Sequence, residues 1–391
     1  MNTQAAIYLD NNATTPVAPE VFEAMVPYLT EFYGNPSGLY RVAKEAGAAV
    51  TKARESVAKL IGAEAREIVF TSCGTESDNA AIWSALRTTG KKHIVTTQVE
   101  HAAVHSFCEH LETLGYTVTW LPVREDGTLD PAEVDAAIHD GTAIVSTMWA
   151  NNETGVLFPV EEIGKICKAR GVLYHIDAIQ VPGKVPIDVK QVQCDFLALS
   201  GHKLHAPKGV GVLYIRSGTR FSPLLIGGSQ EKGRRSGTEN VPHIVALGRA
   251  AELALENLID EQTQTRALRD KLENGILSRI PNSHRNGHAT ERLPNTASVR
   301  FDGLEAEGLL LKLNEHQICA SAGSACSTGS LEPSHVLSAM GLTPSQARST
   351  IRLSLSHLTT EAEIETVLDL LPRFVAELRE PRPAASPAAK A

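Results

Sequence analysis

The chain predicts an α/β fold, a mostly parallel seven-stranded sheet between helices, with a smaller α+β domain beside it. Three observations lead there. From about residue 50 to 215, short apolar runs alternate with stretches of helical periodicity, the pattern of parallel strands joined by crossover helices. After about residue 243 the alternation gives way to long amphipathic stretches. With 391 residues, 42% hydrophobic and 21% charged, the chain can bury the cores of two or three domains.

The elements follow in order. Helical periodicity runs over 43–60, and a short apolar strand over 68–71. A helix at 78–86, a strand at 93–97, a helix at 103–114 and a strand at 117–121 come next. The helix at 131–138 opens on Pro131, whose fixed φ and missing N–H suit a first turn. Strand 143–148, helix 160–170 and strands 172–176, 196–199 and 210–215 complete the alternating part. Beyond it come helices at 244–258 and 261–280, a strand at 296–301, a helix at 308–314, a strand around Arg352 and a last amphipathic helix at 361–378. These predict a large α/β domain over 16–262 and a small domain made of 1–15 with 263–380. The Pro/Ala-rich tail 381–391 is expected to be disordered.

Composition narrows the function. A net charge of −8 argues against general nucleic-acid binding, which needs a basic face. No apolar run reaches the roughly 18 residues of a membrane span, and the first ten residues lack the pattern of a secretory signal. Cys73, Cys108, Cys167, Cys194, Cys319 and Cys326 are scattered with no C-x-x-C pair, so a structural zinc site is not expected and reduced thiols in a cytoplasm are.

In an open parallel sheet, ligands bind beyond the carboxyl ends of the strands. Polar groups cluster at several of those ends. Strand 196–199 runs into Ser200-Gly201-His202-Lys203. A lysine at a buried strand end can capture an aldehyde as a Schiff base, as pyridoxal phosphate enzymes require. Asp177 ends the strand before it, where a carboxylate can hold a pyridinium nitrogen protonated; it also suits a helix cap. Gln180 can donate to the ring 3-oxygen, and Ser200 and His202 to a phosphate. Strand 68–71 leads into Thr71-Ser72-Cys73-Gly74-Thr75-Glu76-Ser77-Asp78, a turn whose free N–H groups at a helix start suit a phosphate or a plain cap. His101 follows the next strand and can stack on a ring and move protons. Asn151-Asn152-Glu153-Thr154-Gly155 follows another, with amides that hold a carboxylate without adding charge. Convergence of several strand ends is more specific than any one motif.

Two further features concern the substrate. The run Ser321-Ala322-Gly323-Ser324-Ala325-Cys326-Ser327-Thr328-Gly329-Ser330 is small and polar around one cysteine, and predicts a mobile surface loop whose thiolate enters a pocket, attacks and swings out. Arg352, on a strand of the small domain, suits a bidentate grip on an amino-acid carboxylate.

Taken together, these residues resemble the cysteine desulfurases, the class holding the nitrogen-fixation and housekeeping iron–sulfur enzymes. The resemblance runs from Tyr8-Leu9-Asp10-Asn11-Asn12-Ala13-Thr14-Thr15-Pro16 to about Leu378. It passes through Gly34-Asn35-Pro36-Ser37, Thr75-Glu76-Ser77-Asp78-Asn79, Glu100-His101, Arg235-Ser236-Gly237-Thr238, Gly323-Ser324-Ala325-Cys326 and Ser330-Leu331-Glu332-Pro333-Ser334, besides the motifs above. Met148-Trp149-Ala150-Asn151 and the stretch from Gly201 to Lys208 look closer to the nitrogen-fixation branch. Ile226, Ser229 and the Ser327-Thr328 order depart from the usual pattern.

The resemblance implies a homodimeric, cytoplasmic pyridoxal 5'-phosphate enzyme of fold type I acting on L-cysteine. Lys203 is then the Schiff-base lysine, with Gly74, Thr75, His101, Asn152, Asp177, Gln180, Ser200, Gly201 and His202 around the cofactor. Thr238 would reach the phosphate in the partner subunit. Asn35, Asn152 and Arg352 would hold the substrate carboxylate. Cys326 would carry the persulfide to an iron–sulfur scaffold protein and serve as a transient cluster ligand shared with it. A housekeeping sulfur donor and a selenocysteine lyase are the neighbouring alternatives, together with an aminotransferase, which needs no thiol.

Overall fold

A computed structural model describes residues 6–322 and 333–380. The first strand, β1 (Ile7–Tyr8), is followed by β2 (Ile68–Thr71), β3 (His93–Thr97), β4 (Thr117–Leu121), β5 (Thr142–Met148), β6 (Leu173–Asp177), β7 (Phe196–Ser200) and β8 (Gly211–Ile215). Strands β2 to β8 form one seven-stranded sheet in the order β2-β8-β7-β6-β5-β3-β4. Neighbours from β7 across to β4 are parallel, and β8 alone runs backwards, antiparallel to β7 and β2. The mostly parallel seven-stranded sheet expected from the sequence is therefore what forms. Gly211 lets β8 start close against the turn after β2: a Cβ there would fall 2.6 Å from the Cys73 carbonyl carbon.

Successive side chains of these strands point to opposite faces, and both faces are covered. Phe70, Val95, Val145, Ile176, Leu197 and Val212 enter one apolar cluster. Their neighbours Val69, Ile94, Ile144, Phe196 and Leu213 enter another. Burial on both sides explains why these strands read as continuous apolar runs rather than as alternating ones. Helix Arg41–Leu60 packs against helix Val241–Glu256 so closely that a Cβ on Gly248 would meet Ala53 Cα at 2.6 Å.

The rest of the chain adds β9 (Ser283–Arg285), β10 (Thr296–Phe301), β11 (Ile318–Cys319), β12 (Ser321–Ala322) and β13 (Thr350–Ser354), and all of these but β11 form a second, four-stranded sheet. Its antiparallel order is β12-β13-β10-β9, while β1 pairs in parallel with β11. Leu9, Leu272, Val299, Phe301, Leu353 and Leu371 share its core. Strands β9, β11 and β12 are too short to show a period in sequence. Val336, Leu337, Met340 and Ala347 leave this body and join the core of the large sheet. Among the described residues no helix is long and apolar enough to cross a membrane.

Candidate active site

Because β2, β3, β5, β6 and β7 all point one way, the chain leaves each of them at one edge of the sheet. A cavity of about 320 Å³ lies there, at the small end of the range for small-molecule sites. Gly74, Thr75, His101, Asn152, Asp177, Gln180, Ser200, His202, Lys203 and Arg352 line it. Five strand ends of one sheet and one residue of the other thus meet.

Lys203 Nζ donates to the carbonyl oxygens of Asn12 at 2.5 Å and Ala13 at 2.7 Å. The Asn12 carbonyl also accepts from Gln180 Nε2 at 2.9 Å, so the amide expected on a ring oxygen already has one donor engaged. Asp177 Oδ1 accepts from Ile179 N at 2.9 Å, the local cap that sets the carboxylate's angle at the end of β6. Burial raises the pKa of Asp177, while His101 and Lys203 oppose that shift. Asp78 and Glu100 are also buried and raised, Glu100 to about 8, and the charge of Asp177 adds to both shifts. Of the three, Asp177 is the one whose rise is opposed by positively charged neighbours, His101 and Lys203.

His101 caps helix Ala102–Thr113, its Nδ1 accepting from Ala103 N at 3.1 Å; Nε2 therefore carries the proton when the ring is neutral. His202 Nδ1 lies 3.2 Å from Thr14 Oγ1, and burial pushes its pKa down to about 4, so it is neutral near pH 7. Asn151 builds the turn that presents Asn152: its Oδ1 accepts from Glu153 N and Thr154 N, both at 2.9 Å. Arg352 is 2% exposed. Its Nη1 donates to Asn152 O and its Nη2 to Asp10 Oδ1, each at 2.8 Å.

These residues fit pyridoxal phosphate. Helix Gly74–Thr89 begins at the cavity, and its first N–H groups have no intrahelical acceptor. A Cβ on Gly74 would fall 2.2 Å from Ile179 Cδ1, so a side chain there would have to displace Ile179, which also lines the cavity. An amine, a buried carboxylate and an imidazole stand round the same space. Gln180 Oε1 is buried without a hydrogen-bond partner among the described residues.

Not every expected residue is at the cavity. Gly201 is buried just behind the lining, its N–H donating to Val210 O at 3.0 Å. Asn35 and Thr238 are exposed and do not line the cavity of their own chain. The Thr238 loop is nevertheless tied to the first turn of helix Gly74–Thr89, since Arg235 Nε and Nη2 grip Glu76 at 2.8 and 3.1 Å. Cys326 lies outside the described residues. Asn12, Ala13, Cys73, Met148, Ala150 and Ile179 line the cavity without having been singled out. The Asn11-Asn12 pair was the only signal for the first of these, since a backbone carbonyl leaves no mark in a sequence.

The comparisons agree with this geometry. The family model described as aminotransferase class-V matches residues 7–367. The chain is similar to cysteine desulfurase 2 of Trichormus variabilis (strain ATCC 29413 / PCC 7937), at 58% identity over 96% of this chain and 94% of that protein. It is 54% identical to cysteine desulfurase NifS of Azotobacter vinelandii, over 97% of this chain and 95% of that one. A solved NifS-like protein superposes with a TM-score of 0.90 at 38% identity, covering 96% of this chain and all of the other. The chain belongs to the class-V aminotransferase family, among its cysteine desulfurases.

Proposed function

We infer that the protein is a pyridoxal 5'-phosphate-dependent cysteine desulfurase, which takes the sulfur of L-cysteine and releases L-alanine. The observation that carries this reading is the meeting of Lys203, Asp177, His101 and the Gly74 cradle at one cavity that Arg352 closes from the other sheet. Bound there, the cofactor supplies an electron sink for the bonds at the substrate α-carbon.

The chain's own residues do the rest. Asp177 would pair with the ring nitrogen. Gly74, Thr75, Ser200 and His202 would hold the phosphate, with Gly201 shaping their turn. His101 would stack on the ring and Gln180 would donate to its 3-oxygen. Arg352, assisted by Asn152, exchanges its Asp10 contact for the substrate carboxylate. Lys203 Nζ takes the α-proton and later returns one to the product. The Cys326 thiolate attacks the substrate sulfur; the C–S bond breaks, carbon gains the electron pair and a proton, and the enzyme gains a persulfide. One thiol and one cysteine thus give one persulfide and one alanine.

The same reading makes the protein a homodimer in which Asn35 and Thr238, exposed on their own chain, serve the partner's site. The persulfide passes to an iron–sulfur scaffold protein in the cytoplasm, with Cys326 able to ligate the nascent cluster. Similarity to the Azotobacter vinelandii enzyme favours nitrogenase clusters as the destination. The test is a single turnover with L-cysteine, read by mass spectrometry. Cys326 should gain the mass of one sulfur atom with one alanine per site. Cys326→Ala should keep the yellow cofactor but form no persulfide, and Lys203→Ala should lose activity outright. Full alanine release by Cys326→Ala would overturn the persulfide route.

A further inference from the structure

Lys203 also lines a second cavity, of about 700 Å³, walled by residues 11–20, the turn after β7, the end of helix Val241–Glu256 and the chain after β13. Two buried charged side chains that the chemistry above leaves unused line it as well. Lys184 is 6% exposed and Glu261 5%. Lys184 Nζ donates to Gln180 O at 3.0 Å, which uses one of its three protons. Glu261 Oε1 accepts from His357 N at 2.9 Å and lies 3.3 Å from His357 Nδ1. Glu261 Oε2 is buried with no hydrogen-bond partner among the described residues. Among those residues no ion pair joins Lys184 to Glu261, although the two are near enough to feel each other: burial pushes the Lys184 ammonium down to about 8, and the Glu261 charge opposes the fall. The wall between is anchored. His205, a bulky residue at φ 60°, has its N–H held by Thr15 Oγ1 at 2.8 Å, and its ring stands edge-on to His357 with centroids 4.8 Å apart.

A buried carboxyl oxygen without a donor is costly, and so is a buried ammonium with a single acceptor. The two ask for opposite things. A bound cation would satisfy Glu261 and repel Lys184, and a bound anion would do the reverse. A molecule that carries an ammonium and a carboxylate satisfies both. Leu204, Leu253, Ala254 and Leu355 give the same cavity apolar wall, the mixture of a few polar groups and apolar lining that small-molecule sites show. We propose that this cavity is a second binding site, for an apolar α-amino acid: the ligand's ammonium donates to Glu261 Oε2, its carboxylate accepts from Lys184 Nζ, and its side chain lies against the leucines. Binding there requires none of the desulfurase chemistry. The site is nevertheless close to it, because Gln180, whose carbonyl holds Lys184, donates from Nε2 to the Asn12 carbonyl that Lys203 Nζ also uses.

The experiment uses holoenzyme reduced with borohydride, which fixes the cofactor on Lys203 and stops amino acids from exchanging into the first cavity. Calorimetric titration with L-leucine should show one molecule bound per chain, with a dissociation constant of about 1 mM or tighter. Glu261→Gln sets an amide N–H where the free oxygen was, and Lys184→Met keeps the stem but removes the donor. Each should weaken binding about tenfold or more, whereas Arg352→Lys, in the first cavity, should leave it within about twofold. Two analogues test the same point on the unaltered chain, should a substitution unfold it. 4-Methylpentanoate lacks the amine and 3-methylbutylamine lacks the carboxylate, so each should bind about tenfold more weakly than L-leucine or worse. Absence of saturable binding would overturn the proposal. So would binding that Arg352→Lys abolishes and the other two variants keep, since the ligand would then sit in the first cavity, or analogues that bind as well as L-leucine.

Discussion

The two sheets serve the cavity in opposite ways. The large sheet supplies its groups through strand ends, and three of them are aimed by hydrogen bonds close in sequence, whereas Lys203, Gln180 and His202 reach to residues 12–14. Asp177 is set by Ile179 N, His101 by Ala103 N, and Asn152 by the Asn151 turn. Among the described residues the small sheet supplies Arg352 alone, and its partners lie far away in the chain, at Asn152 O and Asp10. Asp177, His101 and Asn152 are thus set by local pieces, whereas Arg352 depends on the two bodies meeting. Groups fixed locally should show their worth in the rate of the chemical step; the group fixed at long range should show it in substrate binding.

The largest effect expected from this contrast is at Asp177. Asp177→Asn keeps the size and the Ile179 cap but removes the charge that faces the ring nitrogen. Turnover should fall about 10²–10³-fold, the cost typical of losing one preorganised electrostatic group, while Lys203 still retains a yellow cofactor. Turnover within tenfold of wild type would mean that another group holds the ring nitrogen's proton.

Arg352→Lys tests the other side. Lysine keeps the charge and loses the planar fork that addresses two acceptors at once. The Michaelis constant for L-cysteine should rise about tenfold or more with a smaller change in turnover, the sign of lost ground-state binding. An unchanged constant would put the substrate carboxylate elsewhere and leave Arg352 as the buried partner of Asp10, holding the two sheets together.

The same contrast explains what could be read from the sequence. Strands buried on both faces announce themselves as apolar runs, and a polar group directly after such a run falls at the ligand edge. Lys203, Asp177, His101 and Asn152 were all legible for that reason. Arg352 sat on a predicted strand, but its partners Asp10 and Asn152 are 342 and 200 positions away, and no local pattern joins them. The carbonyls of Asn12 and Ala13, which hold Lys203 Nζ, were invisible because every residue has one. The packing of Gly211 at the start of β8 against Cys73 is a close approach that no periodicity encodes.

The smallest effect expected concerns stability and separates the acids beside the cofactor from the one that works on it. Burial pushes Glu100 up to about 8 from an ordinary 4.5. Between those values the folded protein keeps a proton that the unfolded chain has released. Stability contributed by this group is therefore whole below about pH 4.5 and is lost as pH rises through about 8. The buried imidazoles have the opposite sign. Burial holds His175 down to about 3 and His205 down to about 4, so they destabilise the fold as pH falls below about 6.5. Glu100→Gln copies the protonated acid: its Oε1 can still accept from Thr97 Oγ1 and Met148 N, at 2.6 and 3.1 Å in the native protein. The melting temperature of the variant holoenzyme should decline less than that of the native one from about pH 6 to pH 9. Some decline should persist, because Glu153, raised to about 7, acts with the same sign. Identical slopes would show that Glu100 is already ionised at neutral pH, and that Asp177 shares its negative charge with a neighbour.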